Sequence, residues 1–394
     1  MQWKKRVAGN RKYEWMAIFG TFILLIGATF NRPILFLLVG ILLVYIVLGI
    51  FYDRKAGEKL TLENPKQKIR LFPDQQEEIE LSLVNKSNLP IINGKLAFQV
   101  KEVLAVKHYA KGQHINMIQS EVPLSIMSRG KTKLSLAVEA KKRGTTRISH
   151  INYRFPHLTS FRWIFMRFQP VFQTEVIIFP KSLPVYGLEE KFYQVNGDQR
   201  TNFSPFEDVM SPIGTRDYVP SDPFHRVHWK ASARKQALQT KVLEKNNDQT
   251  WHLVINVSSR SPLGNPYWSD EVENLLSYVT YVCQVLTKRR LPFALHLNTI
   301  RGGKLDKGEG KEQLRHALDL LAYVNEGNGL LNTTRFLHQI EHSQPQNILY
   351  FGDVVEDDIP ILLKWKQLGM TVYHVVGNDG GATLRSRVQV GDVK

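Results

Sequence analysis

A chain of 394 residues is too long for one ordinary core and reads as two or three domains. Its formal charge is +16, but residues 1–59 hold +6 of it, and no Lys/Arg run is long enough for a nucleic-acid arm. With one cysteine, Cys283, no intrachain disulfide can form, so an extracellular staple framework is excluded and a reducing compartment is favoured.

The first elements are apolar. WMAIFGTFILLIGATF (Trp15 to Phe30) and PILFLLVGILLVYIVLGIFY (Pro33 to Tyr52) contain no charged residue, and only Asn31 and Arg32 separate them. At about 1.5 Å per residue the second run spans a ~30 Å hydrocarbon core. The first is a little shorter, with Tyr13, Trp15 and Phe30 expected at the interfaces. A signal peptide followed by one anchor would need a small-residue cleavage site before Asn31, and none is present. Lys4, Lys5, Arg6, Arg11 and Lys12 precede the hairpin, and Arg54, Lys55 and Lys59 follow it, whereas the turn holds only Arg32. Counting positive charges therefore gives a basic cytoplasmic N-terminus (1–12), a two-helix transmembrane hairpin (13–53) and a cytoplasmic body, with both termini on the cytoplasmic side.

Residues 60–180 change to short alternating runs such as EEIELSLVNKS, INGKLAFQVKEV and KTKLSLAVEAKK, with turn residues between them. Period-two alternation reads as half-buried antiparallel strands, and their spacing as a β-sandwich-like module. KKRGTTRI (141–148) reads as a solvated hairpin tip near anionic headgroups. HLTSFRWIFMRF (His157 to Phe168) reads equally as an interfacial segment or as a partly buried loop or strand edge.

From 250 to 394 strand and helix patterns alternate: WHLVINVS, SDEVENLLSYVTYVCQVLTKRR, FALHLNTI, KEQLRHALDLLAYVNE, TTRFLHQIEH, QNILYFGD, IPILLKWKQLG and TVYHVVG. That order predicts a doubly wound, mainly parallel α/β sheet, with ligands expected beyond the strand ends at NVSSR, FGD and GNDGG. RGGKLDKGEGK (301–311) lacks phosphate-loop spacing and reads as a flexible loop tip. No Gly-x-Ser-x-Gly elbow is present, and His225 and His228 have no third metal ligand beside them.

Between these regions, the linker 181–249 contains GTRDYVPSDPFHRVHWKASAR. Asp222-Pro223 predicts an N-cap with proline at the first helical position, so a helix is expected to start there. Lys230 and Arg234 are i,i+4 neighbours on it, with Arg226 one turn earlier. Asp217 and Asp222 can accept bidentate bonds from Arg216, Arg226 or Arg234, and Trp229 and Tyr218 are expected to be buried anchors. Two readings stand: a salt-bridged clasp, or a docking site for an acidic or phosphorylated partner.

Arg216, Tyr218, Pro220 and Asp222, followed by Val227, Trp229, Lys230, Ala231, Ser232, Ala233 and Arg234, resemble the signature of the bacterial "domain of unknown function fifty-eight" family. Members commonly have Gly where this chain has Ser221 and a basic residue where it has His225. The resemblance implies a multidomain α+β chain: a transmembrane helical hairpin, an antiparallel β-sandwich-like module, and a doubly wound α/β domain similar to von Willebrand factor type A. Asn256, Ser258 and Arg260 stand where that fold places Asp-x-Ser-x-Ser, with Asp353 at the later metal-loop aspartate. Only Ser258 matches, so metal binding is expected to be weak or absent, and no cofactor is expected. The resemblance also implies an adaptor and not an enzyme, whose partners are a MoxR-type AAA+ ATPase and a transglutaminase-like membrane protein. The interaction residues would be Arg216, Asp217, Tyr218, Asp222, His228, Trp229, Lys230 and Arg234. The competing expectations are a membrane-bound hydrolase using Asp222 and His228, or a binder of anionic lipid or polyanion.

Overall fold

The computed structural model describes residues 2–385 apart from 8–10, 31, 107–109, 115–116, 158–161, 196–206, 246–249, 262, 344 and 379. The chain divides into two compact units, Met1–Phe179 and Pro180–Lys394.

The first unit opens with β1 (Trp3–Val7), α1 (Arg11–Thr29) and α2 (Pro33–Lys55). Of the two helices, α2 is long and apolar enough to cross a membrane, and α1 contributes a shorter apolar stretch, Tyr13–Thr29. A Cβ on Gly49 would lie 2.5 Å from the Tyr13 hydroxyl, so the close approach of the helices there requires the absence of a side chain.

Twelve strands follow: β2 (Leu60–Leu62), β3 (Lys68–Leu71), β4 (Gln76–Asn85), β5 (Lys95–Lys101), β6 (Leu104–Val106), β7 (Ala110–His114), β8 (Met117–Pro123), β9 (Lys131–Ala140), β10 (Gly144–Arg147), β11 (Ser149–Pro156), β12 (Trp163–Phe168) and β13 (Glu175–Ile178). They form an antiparallel six-stranded sheet in the order β1-β12-β11-β5-β8-β7 and an antiparallel four-stranded sheet β2-β4-β9-β6. A short sheet, β10-β13-β3, completes the unit. Alternation decides what turns inward: Ile79, Leu81 and Leu83 of β4 are buried while Glu78 and Glu80 are exposed. Leu96, Phe98 and Val100 of β5 and Tyr153 and Phe155 of β11 complete the same core. Tyr153 satisfies its buried hydroxyl by donating to the Leu124 carbonyl at 2.7 Å.

The basic N-terminus is not a free tail: β1 pairs antiparallel with β12 and closes the edge of the six-stranded sheet. Trp3 is buried edge-on against Phe168, with ring centroids 5.2 Å apart. Lys5 Nζ donates to the Asp53 and Ala56 carbonyls at 2.6 and 2.5 Å, capping the end of α2. At the same place buried His157 lies 3.2 Å from Asp53 Oδ1 and edge-on to Tyr52. Both ends of the helical hairpin are thereby tied to one sandwich. Of the segment His157 to Phe168, residues 163–168 are strand β12, and 158–161 lie outside the described residues.

The second unit contains β14 (Val185–Tyr186), α3 (Leu188–Val195), β15 (Glu207–Asp217), α4 (Trp229–Lys235), β16 (Gln239–Lys245), β17 (Trp251–Ile255), β18 (Ser258–Arg260), β19 (Pro266–Trp268), α5 (Val272–Lys288), β20 (Phe293–Leu297), β21 (Lys304–Gly308), α6 (Gly310–Tyr323), α7 (Thr333–Glu341), β22 (Asn347–Phe351), α8 (Ile359–Gln367), β23 (Thr371–Asn378) and β24 (Gly381–Arg385). Seven strands make one sheet in the order β14-β24-β23-β22-β17-β20-β21. The neighbours from β23 to β20 pair in parallel, whereas β21 and β24 return antiparallel to β20 and β23. Leu253 and Ile255 face a core shared with α5 and α6, and Val254 faces a smaller one shared with α7 and α8.

These registers correct the expected fold class. Among the described residues thirteen of the 24 strands lie in the first unit, ten of them in its two sandwich sheets. The second unit has a mixed sheet, not the doubly wound α/β domain of von Willebrand type A kind. The reason is connection length. Parallel neighbours need a crossover of a dozen or more residues, but only Asn298–Gly303 joins β20 to β21, and only two residues separate β23 from β24. RGGKLDKGEGK, expected as a loop tip, supplies β21.

Candidate functional site

The signature segment folds as a ribbon with a small helical cap. β15 and β16 pair antiparallel, and the chain between them forms a loop, a 3-10 turn at Phe224–Arg226, and α4. The helix expected from Pro223 therefore does not form as one piece. Val227 bridges Thr240 as an extended residue, and the His228 N–H donates to the Gln239 carbonyl at 2.7 Å. Pairing with β16 removes these two residues from helical geometry. His228, not Asp222, then caps α4: its Nδ1 accepts the Ala231 N–H at 3.1 Å. The helix stops at Gln236, whose φ is +53°.

Asp222 has a different task. Its two oxygens accept a bidentate pair from Arg216 at 2.5 and 2.7 Å, and Oδ2 also accepts from Val219 N–H and Thr240 Oγ1. Arg216 above all, with the Val219 amide, holds the Asp222 carboxyl at about 2, so it stays ionised and is a poor base at neutral pH. Asp217 accepts from Gln239 Nε2 and lies 4.0 Å from Lys235 Nζ. Tyr218 donates its backbone N–H to Leu238.

Trp229, expected to be a buried anchor, is instead 60% exposed. It stacks edge-to-face on Phe224, itself 63% exposed, with ring centroids 5.4 Å apart. Arg226 sits in the 3-10 turn, so only Lys230 and Arg234 share a face of α4. Both are exposed, and neither forms an ion pair among the described residues.

At the end of β17, the four positions read as metal-site remnants form two hydrogen-bonded groups. Buried Asn256 accepts at Oδ1 from Ser258 Oγ (2.7 Å) and Asn298 Nδ2 (2.7 Å), and donates to the Asp353 carbonyl. Asn298 also donates to Ser258 Oγ at 2.9 Å, so neutral amides fill the strand end. Ser259 Oγ donates to Asp353 Oδ2, and Arg260 pairs with Asp357 at 2.5 Å, pointing away from a shared cluster. Among the described residues no group of three or more His, Cys, Asp or Glu is arranged to hold a metal ion. Residue 379 of GNDGG lies outside the described residues.

Sequence reasoning missed a third place. His252 of β17 and His296 of β20 face the same side of the sheet, with Nδ1 and Nε2 3.1 Å apart and rings within 9° of parallel. Centroids 5.3 Å apart place the rings side by side, so one N–H donates to the other ring's lone pair. The available signal was a histidine inside each of two apolar strand runs, WHLVI and FALHL. Burial first, then His252 and Lys304, push His296 down to about 4 from 6.5.

The sign of the consequence is fixed. The unfolded imidazole takes up a proton near 6.5 and the folded one only near 4. Stability from His296 is thus present above pH 6.5 and is lost as the pH falls through 4, by about 1.4 kcal/mol per pH unit between. Chemical denaturation at about pH 7 and pH 5 is expected to show this slope, reduced in His296→Leu; equal slopes in the two proteins would remove His296 as its source.

No family model and no curated protein matches the chain. Among solved structures it is similar to the CARDB domain of a Pyrococcus furiosus protein, solved with di-metal ions, at 10% identity over 30% of this chain and 85% of that one, TM-score 0.18. It is also similar to BcpA, the major pilin subunit of Bacillus cereus (9% identity, 32% of this chain and 42% of that one, TM-score 0.22). A third is a non-cellulosomal cohesin from Archaeoglobus fulgidus (10%, 36% and 99%, TM-score 0.20). Likenesses this distant carry no functional inference.

Proposed function

We propose that the protein is a membrane-tethered, cytoplasm-facing adaptor without catalytic activity, and that Phe224, Trp229, Lys230 and Arg234 form its docking surface. One observation carries this reading. The acids of the signature are consumed by bonds inside the segment, while an aromatic pair and two cations without an ion pair among the described residues stay exposed on the same turn and short helix. Trp and Arg are among the residue types that dominate interface energetics, and the cations select an acidic partner surface. The resemblance to the family adds the partner class: a MoxR-type AAA+ ATPase, a transglutaminase-like membrane protein, or both.

The tether consists of α1 and α2 as two spans in contact with membrane lipids. Their outward side chains support this: Trp15, Phe19, Leu25, Leu37 and Ile41 are each about 60% exposed or more, a surface water does not tolerate at that size. The fastening of β1 and of the end of α2 to the same sandwich supports a hairpin that starts and ends on one side. The flanking lysines and arginines support the assignment of that side to the cytoplasm. The hydrolase reading has less support, since Arg216 occupies the Asp222 carboxylate and a backbone amide occupies His228 Nδ1.

Crosslinking the full chain in native membranes, followed by pull-down in detergent, tests the surface. Trp229→Ala and Arg234→Glu are each expected to lower partner affinity by roughly thirtyfold or more, as for an interface hot spot. Undiminished capture by both variants would overturn the site assignment. A reporter fused at Lys394 is expected to be active only in the cytoplasm, and activity on the outer face would overturn the topology.

A further inference from the structure

The strand registers of the first unit fix which loops share an end with the helical hairpin. The chain enters α1 beyond Val7 of β1, which pairs with Ile164 at the start of β12. Through β11 and β5 that end continues to Lys95 and Pro123, so the loops 86–94 and 124–130 stand there. In the other sheet Leu60 lies opposite Asn85 and Val84 opposite Lys131, which brings the same two loops to the same end. Only Ala56–Lys59 separates α2 from β2, at most about 14 Å of extended chain, so these loops stand close to where α2 ends. KKRGTTRI, expected near anionic headgroups, follows Ala140 at the opposite end of β9.

The two loops are held in one shape. Buried Asn85 donates to the Leu89 and Met127 carbonyls at 2.8 and 3.2 Å and accepts from the Ser87 N–H and hydroxyl, and Ile91 bridges Ile126. Ile92 and Met127 are nonetheless 45% and 70% exposed, each beside a fully buried isoleucine. At the same end Arg54, Lys59, Lys86 and Arg129 are exposed and form no ion pair among the described residues. Nearby Glu58 and Glu63 are paired with Lys55 and Lys131, so they do not neutralise those four. Apolar tips among unpaired cations suit a leaflet of anionic lipid, which takes the first into its acyl boundary and the second onto its phosphates.

We infer that this end of the sandwich is seated on the anionic phospholipid headgroups of the membrane, with Ile92 and Met127 entering the interface and Lys59, Lys86 and Arg129 meeting phosphates. The inference rests on the reading of α1 and α2 as the tether, because the hairpin sets which end faces the bilayer. Lipid charge then governs the posture of the first unit: where it is low, hairpin and sandwich tilt together and the loops lift into water.

The test places an environment-sensitive fluorophore on Met127→Cys of the full chain in vesicles, where buried Cys283 stays unlabelled. In phosphatidylcholine vesicles containing phosphatidylglycerol, spin-labelled lipid is expected to quench this probe, while a probe on Lys142→Cys at the far end remains in water. Lys59→Gln and Lys86→Gln are each expected to lower the ratio of lipid-contacting to water-exposed probe about fivefold, the effect of one cation near an anionic surface. Vesicles of phosphatidylcholine alone should lower it further. A probe on Ile41→Cys in α2 separates the seat from the tether. Quenching there without quenching at Met127→Cys would overturn the seat and leave the tether standing, and loss of both would remove the two together. Quenching at Met127→Cys that ignores both the lysine substitutions and the lipid charge would also overturn the inference.

Discussion

Gly352→Ala is expected to destabilise the second unit by about 3 kcal/mol or more, one of the largest effects of a single methyl group in this chain. Gly352 follows β22 with φ at +104°, a conformation that strains any residue with a Cβ. The added carbon would lie 2.2 Å from the Asn256 carbonyl oxygen and 3.1 Å from its carbon. Those are backbone atoms, so relief requires β17 and β22 to separate where the Asn256 N–H donates to Phe351 at 2.8 Å. The amide network of Asn256, Ser258 and Asn298 moves with them. Thermal unfolding of the full chain in detergent should show a transition lowered by roughly 6–12 °C, by the usual scaling for a unit of about 200 residues. A shift within about 1 °C would mean that the turn absorbs the methyl group without displacing Asn256.

Trp3→Ala is expected to cost the first unit about 3–5 kcal/mol, the usual range for emptying a buried tryptophan site. Trp3 is 5% exposed, and its indole N–H has no hydrogen bond among the described residues, so the loss is one of packing. The damage extends beyond the cavity. β1 is the edge of the six-stranded sheet, and loosening it bares β12, whose Ile164, Met166 and Phe168 are buried. It also releases Lys5 from the carbonyls that end α2. Hydrogen exchange should show faster exchange in β12 and the last turn of α2, while Trp15→Ala, which removes a 69% exposed side chain, should leave both slow. Unchanged protection in Trp3→Ala would show that β1 is not needed to close the sheet.

The parts of the fold that could be read from the chain are those set by local periodicity. Two uncharged runs joined at Asn31–Arg32 form helices because an apolar run of that length satisfies its backbone internally. QEEIELSLVN alternates every second residue, so one register alone buries Ile79, Leu81 and Leu83. In the second unit, the strands at Trp251, Phe293, Asn347 and Thr371 were equally visible as apolar runs. Hairpin returns at β21 and β24 were not, because KLDKG and GATLR carry too few apolar residues to stand out from loops.

The signature segment shows where local reading stops. Asp222-Pro223 carries a strong helix-start pattern, and residue chemistry left Arg216, Arg226 and Arg234 open as partners, of which the structure pairs Arg216 with Asp222. That same pair removed Asp222 from capping, and the bridge from Val227 to Thr240 interrupted the helix; both depend on residues distant in sequence. The exposure of Trp229 is likewise set by what the ribbon leaves uncovered, not by the tryptophan itself.

By itself, then, the sequence determined the apolar hairpin, the alternating sandwich strands and the chemical inventory of the signature, because each is written in the spacing of neighbours along the chain. Tertiary structure alone decided that the N-terminus is an edge strand, that Asp222 is a clasp and His228 a cap, and that two histidines 44 residues apart meet ring nitrogen to ring nitrogen beside a cavity. Those outcomes depend on register and on competition among partners for the same hydrogen bonds, and neither is set until the strands have paired.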